Sequence, residues 1–134
     1  MGRVRNMEME IAIVGLGRIG RHLVREVLKL DEIIDIEIND LNSDVDNICY
    51  LLNYDSVYGY RKERFMNRLS HIYCSETQKK IFCRTIGDIR SKVVIDSTGS
   101  AECLSKLSIS SQFSKIYVTH TPKTNVDEYI IANV

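Results

Sequence analysis

The stretch Ile11-Ala-Ile-Val-Gly15-Leu-Gly17-Arg-Ile-Gly20 runs an apolar strand directly into a Gly-x-Gly-x-x-Gly turn and on into an amphipathic helix. In such a turn the first glycine permits the tight backbone reversal. The second lets a diphosphate approach the main chain, and the third lets helix and strand pack closely. Amides at the start of the following helix lack intrahelical partners and offer donors and partial positive charge to phosphate oxygens. Glycines at this spacing also serve ordinary turns, so the flanking sequence decides between the two readings.

Upstream, Met9 to Val14 is a nearly continuous apolar run bounded by glycine, as expected of a parallel strand covered on both faces. Downstream, Ile19, Leu23, Val27 and Leu30 recur at helical spacing. Arg18, Arg21, Arg25 and Lys29 fall elsewhere, which predicts an apolar stripe opposite a solvated basic side. Ile33 to Ile38 is rich in β-branched residues and nearly alternating, which predicts a second strand. Asn39-Asp40 closes it, and Asp40 stands about 20 residues beyond Gly20, the spacing at which an acid accepts hydrogen bonds from an adenosine ribose. Alone, Asp40 reads as a turn or capping residue; behind the glycine turn and the helix it reads as part of a dinucleotide site. Its carboxylate would repel a 2′-phosphate and no arginine follows closely, so NAD is favoured over NADP.

Ser43, with Asp46 three residues on, is expected to cap the next helix, whose buried stripe is Val45, Ile48, Cys49 and Leu52. Asn53 to Gly59 is turn-like. From there to about Lys80 an irregular excursion with one or two antiparallel strands is expected. Its Arg61, Lys62, Glu63 and Arg64 read as a solvated charge cluster. Lys80 to Arg84 and Val93 to Asp96 read as strands, the latter ending in Ser97-Thr98-Gly99. Small hydroxylated residues there lie where a ligand crosses an open α/β sheet. Ser97 or Ser100 equally suits a cap for a helix from Ala101 to about Ser110, and the two roles are compatible. Ile116 to Thr119 is a further strand, Thr121-Pro122 breaks the pattern, and Glu128 to Ala132 has room for one last short strand. Strands alternating with helices imply an α/β fold with a doubly wound, mostly parallel sheet.

Length and charge restrict the function classes. The 134 residues, 44% of them hydrophobic, suffice for one domain, read as 9–134 behind a flexible arm at 1–8 that carries Arg3 and Arg5. Eighteen basic residues balance eighteen acidic ones, so no global field draws nucleic acid or an anionic membrane. No apolar run approaches a membrane span and the N-terminus is unlike a secretory signal, so a cytoplasmic location is expected. Cys49, Cys74, Cys83 and Cys103 are too scattered for a zinc or redox pair, and His22, His71 and His120 add no metal pattern.

Five segments also share wording with a known pattern. Gly15-Leu-Gly17-Arg18-Ile19-Gly20-Arg21 is similar to Asn-Gly-Phe-Gly-Arg-Ile-Gly-Arg after its first residue, except in the Phe position. Ile38-Asn39-Asp40-Leu41 looks like a segment ending in a ribose-binding acid. Leu51-Leu-Asn-Tyr54-Asp55-Ser56-Val57-Tyr-Gly59 is similar to Leu-Leu-x-Tyr-Asp-Ser-Val-His-Gly. Asp96-Ser97-Thr98-Gly99 resembles Glu-Ser-Thr-Gly, and Thr119-His-Thr-Pro122 sits where the pattern has Ile-Ser-Ala-Pro. In this order and spacing, over roughly 9–134, they resemble the N-terminal NAD-binding half of the glyceraldehyde-3-phosphate dehydrogenase family. The fold that the resemblance implies is Rossmann-type.

The resemblance also implies site roles. The backbone around Gly15, Gly17, Arg18, Ile19 and Gly20 would meet the diphosphate and Asp40 the adenosine ribose. Ser97, Thr98 and Gly99 would line the adenine and ribose side, and His120 takes the slot of a serine near the nicotinamide end. Val14 and Leu16 depart from the pattern, as does the poor match around Arg84, the nearest residue to the family's adenine-side arginine. The sequence ends before the family's Ser-Cys-Thr-Thr-Asn segment, whose thiolate attacks the aldehyde before hydride passes to NAD. None of the four cysteines here has a base partner in view, so no catalytic residue is expected. The chain reads as a cofactor module of an oxidoreductase completed by a separate catalytic domain or by self-association. The alternatives are a free-standing NAD-binding regulatory module and a remnant with a structural role.

Overall fold

The computed structural model describes residues 9–54, 64–108, 113–119 and 130–131. In chain order come strand β1 (Met9–Val14), helix α1 (Arg18–Leu28), β2 (Ile33–Asn39), α2 (Val45–Asn53), β3 (Phe65–Asn67) and β4 (Ile72–Cys74). They are followed by β5 (Lys79–Arg84), β6 (Val93–Asp96), α3 (Ala101–Ser108), β7 (Lys115–Val118) and β8 (Ile130–Ile131). Among the described residues the strands make one sheet in the order β3-β4-β5-β2-β1-β6-β7-β8. β1 pairs in parallel with β2 and with β6, so that Val14 stands opposite Asn39 on one side and Asp96 on the other. The chain first winds outward through β2 and β5, then returns to lay β6 against the free edge of β1. The carboxyl ends of β1 and β6 therefore flank the switch point of a doubly wound sheet, where such sheets take ligands.

The fold is the Rossmann type expected. Among the described residues only the β3–β4 and β4–β5 pairings are antiparallel. The excursion expected before Lys80 thus includes a hairpin, and it continues the main sheet, because Ile72 of β4 faces Ile81 of β5. The charged run at 61–63, like residues 1–8, 55–60 and His120, lies outside the described residues.

Alternation along β1 sends successive side chains to two cores. Ile11 and Ile13 join Ile36, Ile38, Ile81 and Ile95 beneath α1 and α2, while Ala12 and Val14 join Val94, Ile89 and Leu107 on the face covered by α3. A fully buried isoleucine of this kind contributes about 1.5–3 kcal/mol relative to exposure.

Helix α1 is rotated relative to the expected stripe. Gly20, Leu23, Val24, Val27 and Leu28 are buried, whereas Ile19 and Leu30 are 40% and 49% exposed. The rotation follows from Gly20, whose bare Cα must face the sheet. Arg25 corrects the expectation of a wholly solvated basic side: it is 2% exposed. Its guanidinium donates to the Leu52 carbonyl at the end of α2 and, at 3.2 Å, to the Arg21 carbonyl. It thereby satisfies, at Leu52, a helix-end acceptor that burial would otherwise strand. Just past Arg25, at the carboxyl end of α1, Lys79 Nζ donates to the Leu28 and Leu30 carbonyls at 2.8 and 2.7 Å.

Helix α2 is capped by Asp44, whose carboxylate accepts from the Asn47 amide at 3.2 Å, one residue later than the expected Ser43 cap. Ile48, Cys49 and Leu52 are buried as the stripe predicts, with Val45 packed at the margin. Asn53, the last residue of α2, anchors the hairpin. Its Nδ2 donates to the Phe65 carbonyl at 2.8 Å, and its Oδ1 accepts from the Phe65 amide at 2.9 Å.

Candidate dinucleotide-binding cleft

Beyond the end of β1, Gly15 adopts φ +91°, a conformation that costs L side chains steric strain. A Cβ there would also lie 2.8 Å from the Thr98 methyl. A Cβ on Gly20 would overlap the Gly15 carbonyl oxygen and approach Ser97 Oγ to 2.9 Å. Gly17 differs: a Cβ there would meet nothing within 4 Å, and its side of the turn is open. Gly17 is also the N-cap of α1, without a side-chain cap and without an acidic residue in the first turn. The first-turn amides and their partial positive charge are consequently left for an outside acceptor. Arg18 and Ile19 begin the helix at the surface.

Two strand ends brace this turn. Ser97 Oγ lies within donating distance of the Val14 carbonyl (2.9 Å) and the Gly15 carbonyl (3.0 Å), and the Ser97 amide donates to Val14 O at 2.9 Å. Asp40, just past β2, accepts at Oδ1 from the Leu16 amide and at Oδ2 from the Asn42 amide, both at 3.3 Å. A carboxylate accepts up to four hydrogen bonds, so Asp40 keeps capacity on both oxygens.

A ladder of short side chains joins β6 to α3. Asp96 Oδ1 accepts from the Thr98 amide at 3.0 Å and from its hydroxyl at 2.7 Å. Thr98 Oγ1 accepts from the Ser100 amide at 3.1 Å, and Ser100 Oγ accepts from the Cys103 amide at 3.1 Å. Ser100 rather than Ser97 is therefore the cap. Gly99 supplies φ +71° between them.

The opposite wall is held by polar residues to which the sequence pattern gives no such role. Glu37, fully buried on β2, pairs with the Arg84 guanidinium and accepts from the Arg90 amide at 2.8 Å. Asn39 donates to the Thr85 and Asp88 carbonyls at 3.0 and 3.3 Å. Together they pin the loop 85–91 against the sheet. Arg84 is thereby committed to Glu37 and to the face of Phe82, and it does not line the cleft.

Between these walls lies a cleft of about 800 Å³. Gly15, Leu16, Gly17, Asp40, Ser97 and Thr98 line one part of it. Leu41, Ile86, Gly87 and Ile89 line another, and Ser100, Glu102, Cys103, Lys106, Leu107 and Phe113 complete it. Arg18, Ile19, Gly20 and Gly99 are not on its surface; Gly20 and Gly99 shape it from behind. Of the four cysteines only Cys103 reaches it, and burial followed by the Asp96 charge pushes that thiol's pKa up. Burial also raises Cys49, and pushes Cys83 up to about 12. All four are free thiols, and among the described residues no group of His, Cys, Asp or Glu is arranged to hold a metal ion.

Fold and cleft together define a Rossmann-type dinucleotide-binding domain. Residues 9–103 match the family described as "Glyceraldehyde 3-phosphate dehydrogenase, NAD binding domain", and the chain belongs to that family. Among its relatives are glyceraldehyde-3-phosphate dehydrogenase of Heyndrickxia coagulans, 42% identical over 53 residues (40% of this chain, 16% of the relative), and glyceraldehyde-3-phosphate dehydrogenase 1 of Agaricus bisporus, 25% identical over 131 residues (92% and 39%). The cytosolic enzyme of Pinus sylvestris is 32% identical over 100 residues (69% and 29%). The chain thus spans well under half the length of these relatives.

Proposed function

We propose that the chain binds NAD in this cleft as the cofactor-binding part of a glyceraldehyde-3-phosphate dehydrogenase-like oxidoreductase. The observation that carries the reading is the uncapped start of α1 behind Gly17, opening on the same cleft as Asp40. The residues fit the cofactor. The Gly15 and Leu16 amides are spent inside the fold, on the Asn39 carbonyl and on Asp40, and they set the turn; main-chain amides of Gly17, Arg18, Ile19 and Gly20 supply donors for a diphosphate, and Asp40 supplies acceptors for the ribose hydroxyls. Ser97, Thr98 and Gly99 hold the turn and flank the ribose side, and His120 belongs near the nicotinamide end. When bound, NAD supplies a hydride acceptor. The chain's own residues bind and orient it.

The nucleophile is assigned to a separate catalytic domain. In this chain the three shifted cysteine pKa values all move away from the thiolate form, and no histidine stands beside Cys103 among the described residues of the cleft. A partner catalytic domain or a second copy of the chain completes the assembly in the cytoplasm, the compartment named for the Pinus sylvestris relative. The same thiol chemistry favours, as second reading, a free-standing NAD-binding module. Calorimetric titration with NAD tests the shared core of both: one site per chain is expected, and heats indistinguishable from dilution would sink it. Reduction of NAD by glyceraldehyde 3-phosphate, only when a catalytic half is added, separates the first reading from the second.

A further inference from the structure

The diphosphate and ribose positions are marked by Gly17 and Asp40, but much of the remaining lining is apolar. Ile86 and Ile89 come from the loop after β5, Leu107 from α3, and Phe113 from the approach to β7. A flat, weakly polar base suits such a stretch, as a sugar or a phosphate does not. Two charged side chains interrupt it: Glu102 and Lys106, one helical turn apart on α3. Among the described residues neither has a hydrogen-bond or ion-pair partner. An ionised carboxylate only accepts hydrogen bonds and an ammonium only donates them. The pair therefore presents one acceptor and one donor along the edge of whatever base occupies the slot.

We infer that Glu102 selects the nucleobase, accepting a hydrogen bond from the exocyclic amino group of adenine while Lys106 donates toward a ring nitrogen. The inference rests on the NAD reading above and deepens it. A base with a carbonyl at that position turns an acceptor toward the carboxylate and loses the bond. Nicotinamide hypoxanthine dinucleotide, which differs from NAD by exchange of the 6-amino group for an oxo group, is the probe.

The test is calorimetric titration of the whole chain with NAD and with this analogue, in the wild type and in Glu102→Gln, with circular dichroism to verify that the variant folds. The wild type is expected to favour NAD by roughly tenfold, since the analogue lacks the amino donor to the charged Glu102 acceptor. In Glu102→Gln the ratio is expected to fall close to one, because a carboxamide both accepts from an amino group and donates to a carbonyl. Equal affinities in the wild type, or an unchanged ratio in the variant, overturn the role of Glu102 and leave NAD binding standing. If neither dinucleotide binds the wild type at millimolar concentration, both readings fall.

Discussion

Gly17 and Gly20 are three residues apart and are glycine for opposite reasons. A methyl at Gly20 collides with the Gly15 carbonyl and Ser97 Oγ, so Gly20→Ala forces α1 away from β1. We expect a loss of about 1–3 kcal/mol in urea unfolding, the usual cost of overpacking. Gly17→Ala meets no protein atom and should leave the unfolding midpoint almost unchanged, while NAD affinity falls at least roughly tenfold because the methyl occupies the open side of the turn. Equal stability loss in both variants would contradict the distinction. For Asp40→Ala, titration should show a sharp drop in NAD affinity with the fold retained. The Cys83 thiol gives a pH signature. Burial lifts it from its ordinary 9.0 to about 12, so between those values the folded state holds a proton that the unfolded chain has released. Its contribution is therefore complete below pH 9 and is lost as pH rises toward 12. Unfolding midpoints measured from pH 8 to 10.5 should decline, and Cys83→Ala should flatten part of that decline.

At the scale of elements, caps and buried polar groups decide which predictions from sequence survive. Asp44→Ala should cost about 1 kcal/mol and Ser43→Ala much less, as thermal unfolding of the two variants will compare. Ser43 and Asp44 are both good N-cap residues, and only the actual first helical turn distinguishes them. Strands β1, β2, β6 and β7 are legible because short segments rich in Ile and Val and bounded by turn residues have few other uses. The rotation of α1 is not, since a stripe through Ile19 and Leu30 satisfies helical periodicity as well as one through Val24 and Leu28. Contact between Gly20 and the turn chooses between them. The place of Arg25 is equally hidden, because its acceptor at Leu52 comes from another helix. In the cleft, the glycine turn and Asp40 are local patterns and readable. The wall formed by Ile86 and Ile89 is in place because Glu37 and Asn39, far earlier in the chain, hold the loop 85–91. Removing one partner of a buried ion pair typically costs about 3–5 kcal/mol, and Glu37→Ala should approach that figure in chemical unfolding.

At the scale of the molecule, two cores share one sheet, and the face under α1 and α2 is the larger. No helix among the described residues is long and apolar enough to cross a membrane. The sheet order also sets the timetable of biosynthesis. β1 leaves the ribosome before both of its neighbours yet ends in the interior of the sheet, between β2 and β6. Its partner β2 follows soon, closing one edge around α1. Its other edge stays unpaired until Val93–Asp96 has been made. At about 5–20 residues per second that interval is on the order of several seconds. For that time a bare, β-branched edge is open to any strand that passes, so the nascent chain, rather than the finished domain, is the form most exposed to mispairing and most dependent on chaperone protection.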